Sequence, residues 1–371
     1  MKQLGIEITL RSPTLLAAAP PIANLTETLR FVPGNSLRGA FAQRYLELGG
    51  EAGDGLFERL FVAGEVAFGP AYPDGAEVVP LSARTCKYHG GFQADGGHGL
   101  LDLLLSTAAG DGDGARGCPK CGESLDHPPE WWHPAESRGV GVLTRLITRS
   151  AIDPRRATAR TGQLFVQEVL QEGQRFIGEL ECPLDLASEL ERISVGGFEA
   201  GIGTGGSRGQ GWVEIAPADL PTADRYRAPV AQRFKSFQEL AGRPVLAVTL
   251  LSDALLVDDY LRAASEPEIA DLATLGIFAE DWEPRPAAAF TGVRRVFGFD
   301  GAPVRLPRCH RLAVAAGSTF LFEAREEPRI PEGSGVGWIG DGRREGYGRV
   351  ALWHPFHLDP EPEVEAAGGA T

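Results

Sequence analysis

Gly201-Ile202-Gly203-Thr204-Gly205-Gly206-Ser207-Arg208-Gly209-Gln210-Gly211 runs without a break into Trp212-Val213-Glu214-Ile215. The glycines permit tight turns and close backbone approach, whereas the residues after them alternate as a strand does. A second stretch of the same kind, Ile339-Gly340-Asp341-Gly342-Arg343-Arg344-Glu345-Gly346-Tyr347-Gly348-Arg349, feeds Val350-Ala351-Leu352-Trp353. Each loop follows an opening strand of its own. Leu4 to Leu10 alternates apolar and polar residues ahead of the first, and Pro244 to Leu251 is a strand ahead of the second. Two copies of one plan predict a duplicated unit.

Working outward, the turn at Pro33-Gly34 with Asn35 or Ser36 as cap opens a helix carrying Leu37, Ala40, Phe41, Tyr45 and Leu48 at helical spacing. The first copy is much the longer, so it should hold an insertion. Leu81 to His133 is the place for it, being rich in Gly and Asp and holding three of the five cysteines. These features predict an N-terminal domain over 1–225, a connection over 226–243 and a C-terminal domain over 244–371 with an acidic tail. Between them, Val140 to Ser150, the turn Asp153-Pro154-Arg155-Arg156 and Gly162 to Val169 read as a hairpin with arginines on one edge and at its tip.

Gly201-x-Gly203-x-x-Gly206 matches a dinucleotide fingerprint in form only, because that motif lies between a strand and a helix and here the order is reversed. No Gly-Lys-Ser/Thr is present, which excludes a phosphate-cradling triphosphate loop. Two readings remain: a loop whose glycines only serve turns, or a loop whose backbone and arginines lie against a polyanion.

The formal charge of −14 argues against a free-standing nucleic-acid binder. That figure averages segments of opposite sign. Arg138 to Arg160 holds six arginines against the single acid Asp153, while Asp253 to Glu283 and the tail are acidic. Only four of the 36 basic residues are lysines, a skew that fits a GC-rich genome or the fork geometry with which Arg meets phosphate. The 43% apolar content fits a folded chain. No apolar run approaches the roughly 18 residues of a membrane span, and the expected location is cytoplasmic, with no membrane partner.

Cys86-x-x-His89 and Cys118-x-x-Cys121 form two knuckles. A two-residue spacer lets both ligands of a knuckle reach one tetrahedral ion, and two knuckles close a structural zinc site with no open position for water. His98, His127 and His133 are alternates for the fourth ligand, and free thiols are the competing reading. Cys182 and Cys309 have no close partner and are expected in the core.

Pro33-Gly34-Asn35-Ser36-Leu37-Arg38-Gly39 and the two glycine loops together resemble the CRISPR-associated RAMP superfamily, and within it most closely the five-type (Csx-ten) subunits of type III-D effectors. The resemblance implies an α+β fold of two tandem ferredoxin-like (RRM-like) domains with glycine-rich loops, and a place at the crRNA 5′ end, gripping its handle. Partners would be the crRNA, other RAMP backbone subunits and the large polymerase-like effector subunit, with target RNA met indirectly. The RNA-binding residues so implied are Ser36, Arg38, Arg145, Arg149, Arg155, Arg156, Gly203, Gly206, Arg208, Gly209, Arg343, Arg344 and Arg349. Ala151-Ile152-Asp153 matches a motif that lies along guide or target RNA in related subunits. Processing RAMP enzymes use a histidine near the first strand, and none occurs here before His89; target cleavers use an Asp, and between Thr9 and Tyr45 the only acid is Glu27. A non-catalytic subunit is therefore expected, with an endoribonuclease as the alternative; His310 is expected as a satisfied sheet residue.

Overall fold

The computed structural model describes residues 1–21, 23–109, 117–153, 155–156, 158–220, 229–277, 284–300, 306–323, 328–330 and 335–359. Its first half is built on β1 (Lys2–Leu10), whose inward residues Ile6, Ile8 and Leu10 are buried. Helix α1 (Gly34–Glu47) follows, burying Leu37, Ala40, Phe41 and Tyr45 as their spacing predicts. It starts at Gly34 rather than after Asn35 or Ser36, and no side chain caps it. The chain enters it through the extended Pro33, and position 34 requires glycine, since a Cβ there would lie 1.8 Å from the carbonyl oxygen of Phe68 and 2.6 Å from that of Glu345.

Further on come β2 (Ala67–Phe68), β3 (Trp131–His133), the hairpin β4 (Thr144–Asp153) and β5 (Thr158–Leu170), then β6 (Arg175–Cys182), α2 (Leu184–Ser194), β7 (Phe198–Gly201) and β8 (Trp212–Ala218). One antiparallel sheet has the order β7-β8-β1-β6-β2. Phe41, Phe68, Phe176, Leu190, Phe198 and Ile215 close the core between that sheet and the two helices.

The second half contains α3 (Val230–Ala241), β9 (Val245–Leu250), β10 (Arg285–Phe290), β11 (Val293–Val296), β12 (Arg311–Val314), β13 (Thr319–Glu323), β14 (Val336–Trp338) and β15 (Arg349–Leu352). Its main sheet, again antiparallel, has the order β14-β15-β9-β13-β10. The run β14-β15-β9-β13 repeats β7-β8-β1-β6 strand for strand.

One expectation needs correction. The segment read as a connection, 226–243, carries α3, whose Val230, Phe234, Phe237 and Ala241 belong to the second core; residues 226–228 lie outside the described residues. The inserted segment also packs on the second half, not only the first. Leu104 and Ala108 enter the second core, and Phe92 and Trp132 pack with Phe356. The acidic tail beyond Asp359 lies outside the described residues. No helix among them is long and apolar enough to cross a membrane.

Candidate nucleic-acid interface and metal centre

The two glycine loops have one backbone design. Each crosses the chain just after its opening strand: the Thr204 N–H donates to Leu15 O at 3.0 Å and the Asp341 N–H to Leu255 O at 2.9 Å. Each closes with the isoleucine N–H donating to a glycine carbonyl, Ile202 to Gly211 and Ile339 to Gly348, both at 2.8 Å. Gly203 and Gly340 have φ of +72° and +66°, and a Cβ there would lie 2.3 and 2.6 Å from the Leu15 and Leu255 carbonyl oxygens. Glycine is therefore required at both. Between left-handed glycines each loop makes a single 3₁₀ turn, Gly206–Arg208 in one and Arg343–Glu345 in the other.

Their environments differ. In the first loop Gly203, Gly206, Arg208 and Gly209 are exposed, and Arg208 has no partner among the described residues. The position equivalent to Arg208 is Glu345, which is buried. Arg308 Nη1 donates to both its carboxylate oxygens at 2.7 and 2.8 Å, and Arg38 and Arg344 each approach to 3.7 Å. Arg343 pairs with Glu181 on β6 at 2.8 Å, and Arg349 pairs with Glu179 on the same strand. The Arg344 Nη1 donates to Val62 O at 2.8 Å. The second loop is thus a plug between the halves, and the charges of Arg343 and Arg349, expected to face RNA, are engaged within the chain.

Residues 36 and 38 sit on the first two turns of α1. Ser36 lines a cleft described below; Arg38 donates to Phe61 O at 2.8 Å in addition to approaching Glu345. On the hairpin, Arg145 and Arg149 share a face because they are four residues apart on one strand, an even number. Arg149 lies opposite Phe165, while Arg145 pairs with Glu172 at 3.0 Å. Arg155 and Arg156 are exposed at the tip, where Asp153 accepts from the Arg155 N–H at 2.8 Å. The other face exposes Leu146 and Leu164.

Between the halves lies a cleft of about 890 Å³, which α1's start, Gly203 and Thr204 share with β11 and the residues before β12. Sequence reasoning missed its basic wall: Arg294, Arg295 and Arg308. Arg294 approaches Glu130 at 3.6 Å and Asp253 at 3.5 Å, Arg308 holds Glu345, and Arg295 is exposed with no partner among the described residues. The run Val293-Arg294-Arg295-Val296 carried the signal. Burial pushes the Asp253 carboxyl up against the pull of Arg294, and burial with Asp253 and Glu345 nearby takes the Tyr347 phenol up to about 12. His310 is not a sheet residue: it precedes β12, is exposed, and meets the Phe297 ring at 4.3 Å on the cleft wall.

Cys86, His98, Cys118 and Cys121 bring one ligand atom each within 4.8 Å of one another. Cys86 and Cys121 sulfurs are 3.6 Å apart and His98 Nδ1 is 3.3 Å from Cys118 Sγ. A tetrahedral ion with Zn–S of about 2.3 Å and Zn–N of about 2.0 Å would set these near 3.7 and 3.5 Å, so the set fits zinc. The fourth member is His98, not His89. The His98 N–H donates to His89 O at 2.8 Å, which lays the two rings side by side at 4.4 Å with His98 on the sulfur side. Burial raises the Cys118 thiol, but the N–H groups of Lys120 and Cys121 and the His98 ring outweigh it and bring the thiol down to about 6. A thiolate ligand is thereby available at neutral pH. Cys182 is buried as expected, whereas Cys309 is exposed.

A model of the RAMP superfamily matches residues 7–214. Among solved structures, a chain of the type III-B Cmr-beta complex bound to cognate target RNA and AMPPnP is 11% identical, with 85% of this chain and 86% of that chain covered and a TM-score of 0.45. Oligomeric Cmr4 from Pyrococcus furiosus is 12% identical over 59% of this chain and 99% of its own, with a TM-score of 0.28. No curated protein matches the chain.

Proposed function

The chain belongs to the RAMP superfamily, and from that premise we propose that it is a non-catalytic subunit of a type III CRISPR effector, of the five-type III-D kind, that holds the crRNA 5′ handle. The observation carrying this is the divergence of the two loops. One backbone design serves as an internal plug in the second half, while in the first it stands in solvent with Arg208 unpaired among the described residues. A solvent-exposed guanidinium suits phosphate oxygens, and phosphate contacts fix register on a nucleic acid. The hairpin, with Arg149 opposite Phe165 and Arg155 and Arg156 at its tip, offers charge and a stacking ring along the same strand.

The repeated strand order supports two tandem ferredoxin-like domains, with the zinc-holding insertion leaving the first and bracing the second. Arg343, Arg344 and Arg349 act on this reading through the junction, and Ser36, Arg38 and the first loop through RNA. The partners would be crRNA, RAMP backbone subunits and the large effector subunit, within the cytoplasm. In a complex reconstituted with crRNA, Arg208→Ala should lower retention of the RNA and reduce the salt slope of binding by about 1. Retention and slope equal to wild type would refute the loop assignment. Site-specific cleavage of repeat RNA by the purified chain, lost in His310→Ala, would replace the reading with that of an endoribonuclease.

A further inference from the structure

The cleft contains polar groups that the fold does not satisfy. Trp131, on β3 at the end of the insertion, is only 4% exposed, and its indole Nε1 is buried without a partner among the described residues. A buried donor left unmade costs about 1–3 kcal/mol, and native structures pair nearly all such groups. The Asn35 and Gln167 side chains, which also line the cleft, each have a buried oxygen without a partner among the described residues. One donor and two acceptors therefore point to a ligand bearing both kinds of group.

Its walls add three further features. Trp131 lies against Tyr72 at 4.7 Å and Phe31 at 6.3 Å, giving an aromatic floor whose Tyr72 hydroxyl is already used on Leu251 O. The 14-residue helix α1 begins at the cleft with no side-chain cap and no acid in its first turn, a favourable position for phosphate. Arg295 is the one cleft arginine without an acid beside it among the described residues, since Arg38, Arg294 and Arg308 have theirs. The volume of about 890 Å³ lies within the range of small-molecule sites.

We propose that the cleft holds one unstacked nucleotide of a single-stranded RNA, its base edge accepting from Trp131 Nε1, its sugar or amino donors meeting Asn35 and Gln167, and its phosphate at the start of α1 near Arg295. This rests on the RNA-binding reading above and adds a base-reading site that the sequence did not indicate. Trp131 is the specificity residue: a base lacking an acceptor at that edge leaves the indole unpaired.

The test uses the full chain in a complex reconstituted on guide RNAs that carry an abasic nucleotide at one position at a time. In wild type one position should cost up to about tenfold in retention, the worth of one good hydrogen bond. In Trp131→Phe, which keeps an aromatic ring on Tyr72 and Phe31, the intact guide should be weakened by a similar factor and that position should carry no further penalty. Arg295→Ala, at an exposed residue, should weaken the intact guide independently of any packing change at Trp131. Abasic penalties that are the same in wild type and Trp131→Phe overturn the proposal, and so does thermal protection by free mononucleotide that depends on Trp131 while no guide position is penalised. If Arg208→Ala has no effect while the Trp131 dependence persists, the loop assignment fails and the cleft stands; if Arg208→Ala acts and the Trp131 dependence is absent, the reverse holds.

Discussion

Removing the carboxylate at Glu345 should loosen the second glycine loop where it meets the first half. Its side chain is 4% exposed and receives both short bonds from Arg308, with Arg38 3.7 Å away. Deleting one partner of a buried ion pair costs roughly 3–5 kcal/mol, because the other charge stays behind without compensation. Here the stranded arginines have side chains 24% and 21% exposed and recover part of their hydration, so Glu345→Gln should cost about 2–3 kcal/mol. Arg344→Ala, on the rim of the same cluster with a side chain 41% exposed, should stay within about 0.5 kcal/mol. The measurement is the unfolding free energy in urea for wild type, Glu345→Gln, Arg308→Met and the double variant. A coupling energy above about 1 kcal/mol between 345 and 308 is expected for residues in one network. Glu345→Gln within 0.5 kcal/mol of wild type, or additive single effects, would refute the claim that Glu345 pins the second loop inside the chain.

Metal analysis of His98→Ala should show loss of bound zinc, whereas His89→Ala should retain it; the opposite outcome would restore the ligand set read from spacing alone. Glu179 is fully enclosed, and burial raises its carboxyl despite Arg349. Its folded value thus lies above its unfolded one, so the folded chain takes up a proton first as the pH falls. Wild type should therefore gain stability relative to Glu179→Gln between neutral pH and the ordinary glutamic value of about 4.3, and a difference that does not vary with pH across that window would contradict the assigned burial.

Both loops and both opening strands were legible because glycine at Gly203 and Gly340 answers a backbone demand that no other residue meets, and such demands leave a mark in one dimension. The fate of each loop was not legible. Arg208 and Glu345 occupy equivalent positions, but only the third dimension shows that one faces solvent and the other Arg308. The same limit explains the zinc set. Cys86-x-x-His89 has good knuckle spacing, yet the turn at Gln93–Asp95 and the left-handed Gly96 fold the chain back so that His98 overtakes His89. The cleft was hidden because its wall comes from α1, β3 and β11, segments separated by about a hundred residues or more, and Trp131 reads in sequence as one more core aromatic.

The insertion also explains why a cleft between two halves can be preformed. Asp102 accepts from Ser82 at 2.6 Å and meets His357 Nδ1 at 2.7 Å, while His357 Nε2 lies 2.8 Å from Thr249 on β9, all of them buried. Asp102 and Ser82 belong to the insertion, His357 and Thr249 to the second half. Phe92, Trp132 and Phe356 pack beside this chain of bonds, and Trp132 is the neighbour of Trp131. Together with Arg343–Glu181 and Arg349–Glu179, it gives several separate fastenings across the molecule. Halves tied at several points are restrained from rocking, so on the proposed reading an RNA strand entering the cleft would meet side chains already in place and lose little affinity to ordering them. A zinc ion closing the far end of the same insertion would therefore act on RNA binding at a distance, by keeping β3 and its Trp131 where the cleft needs them.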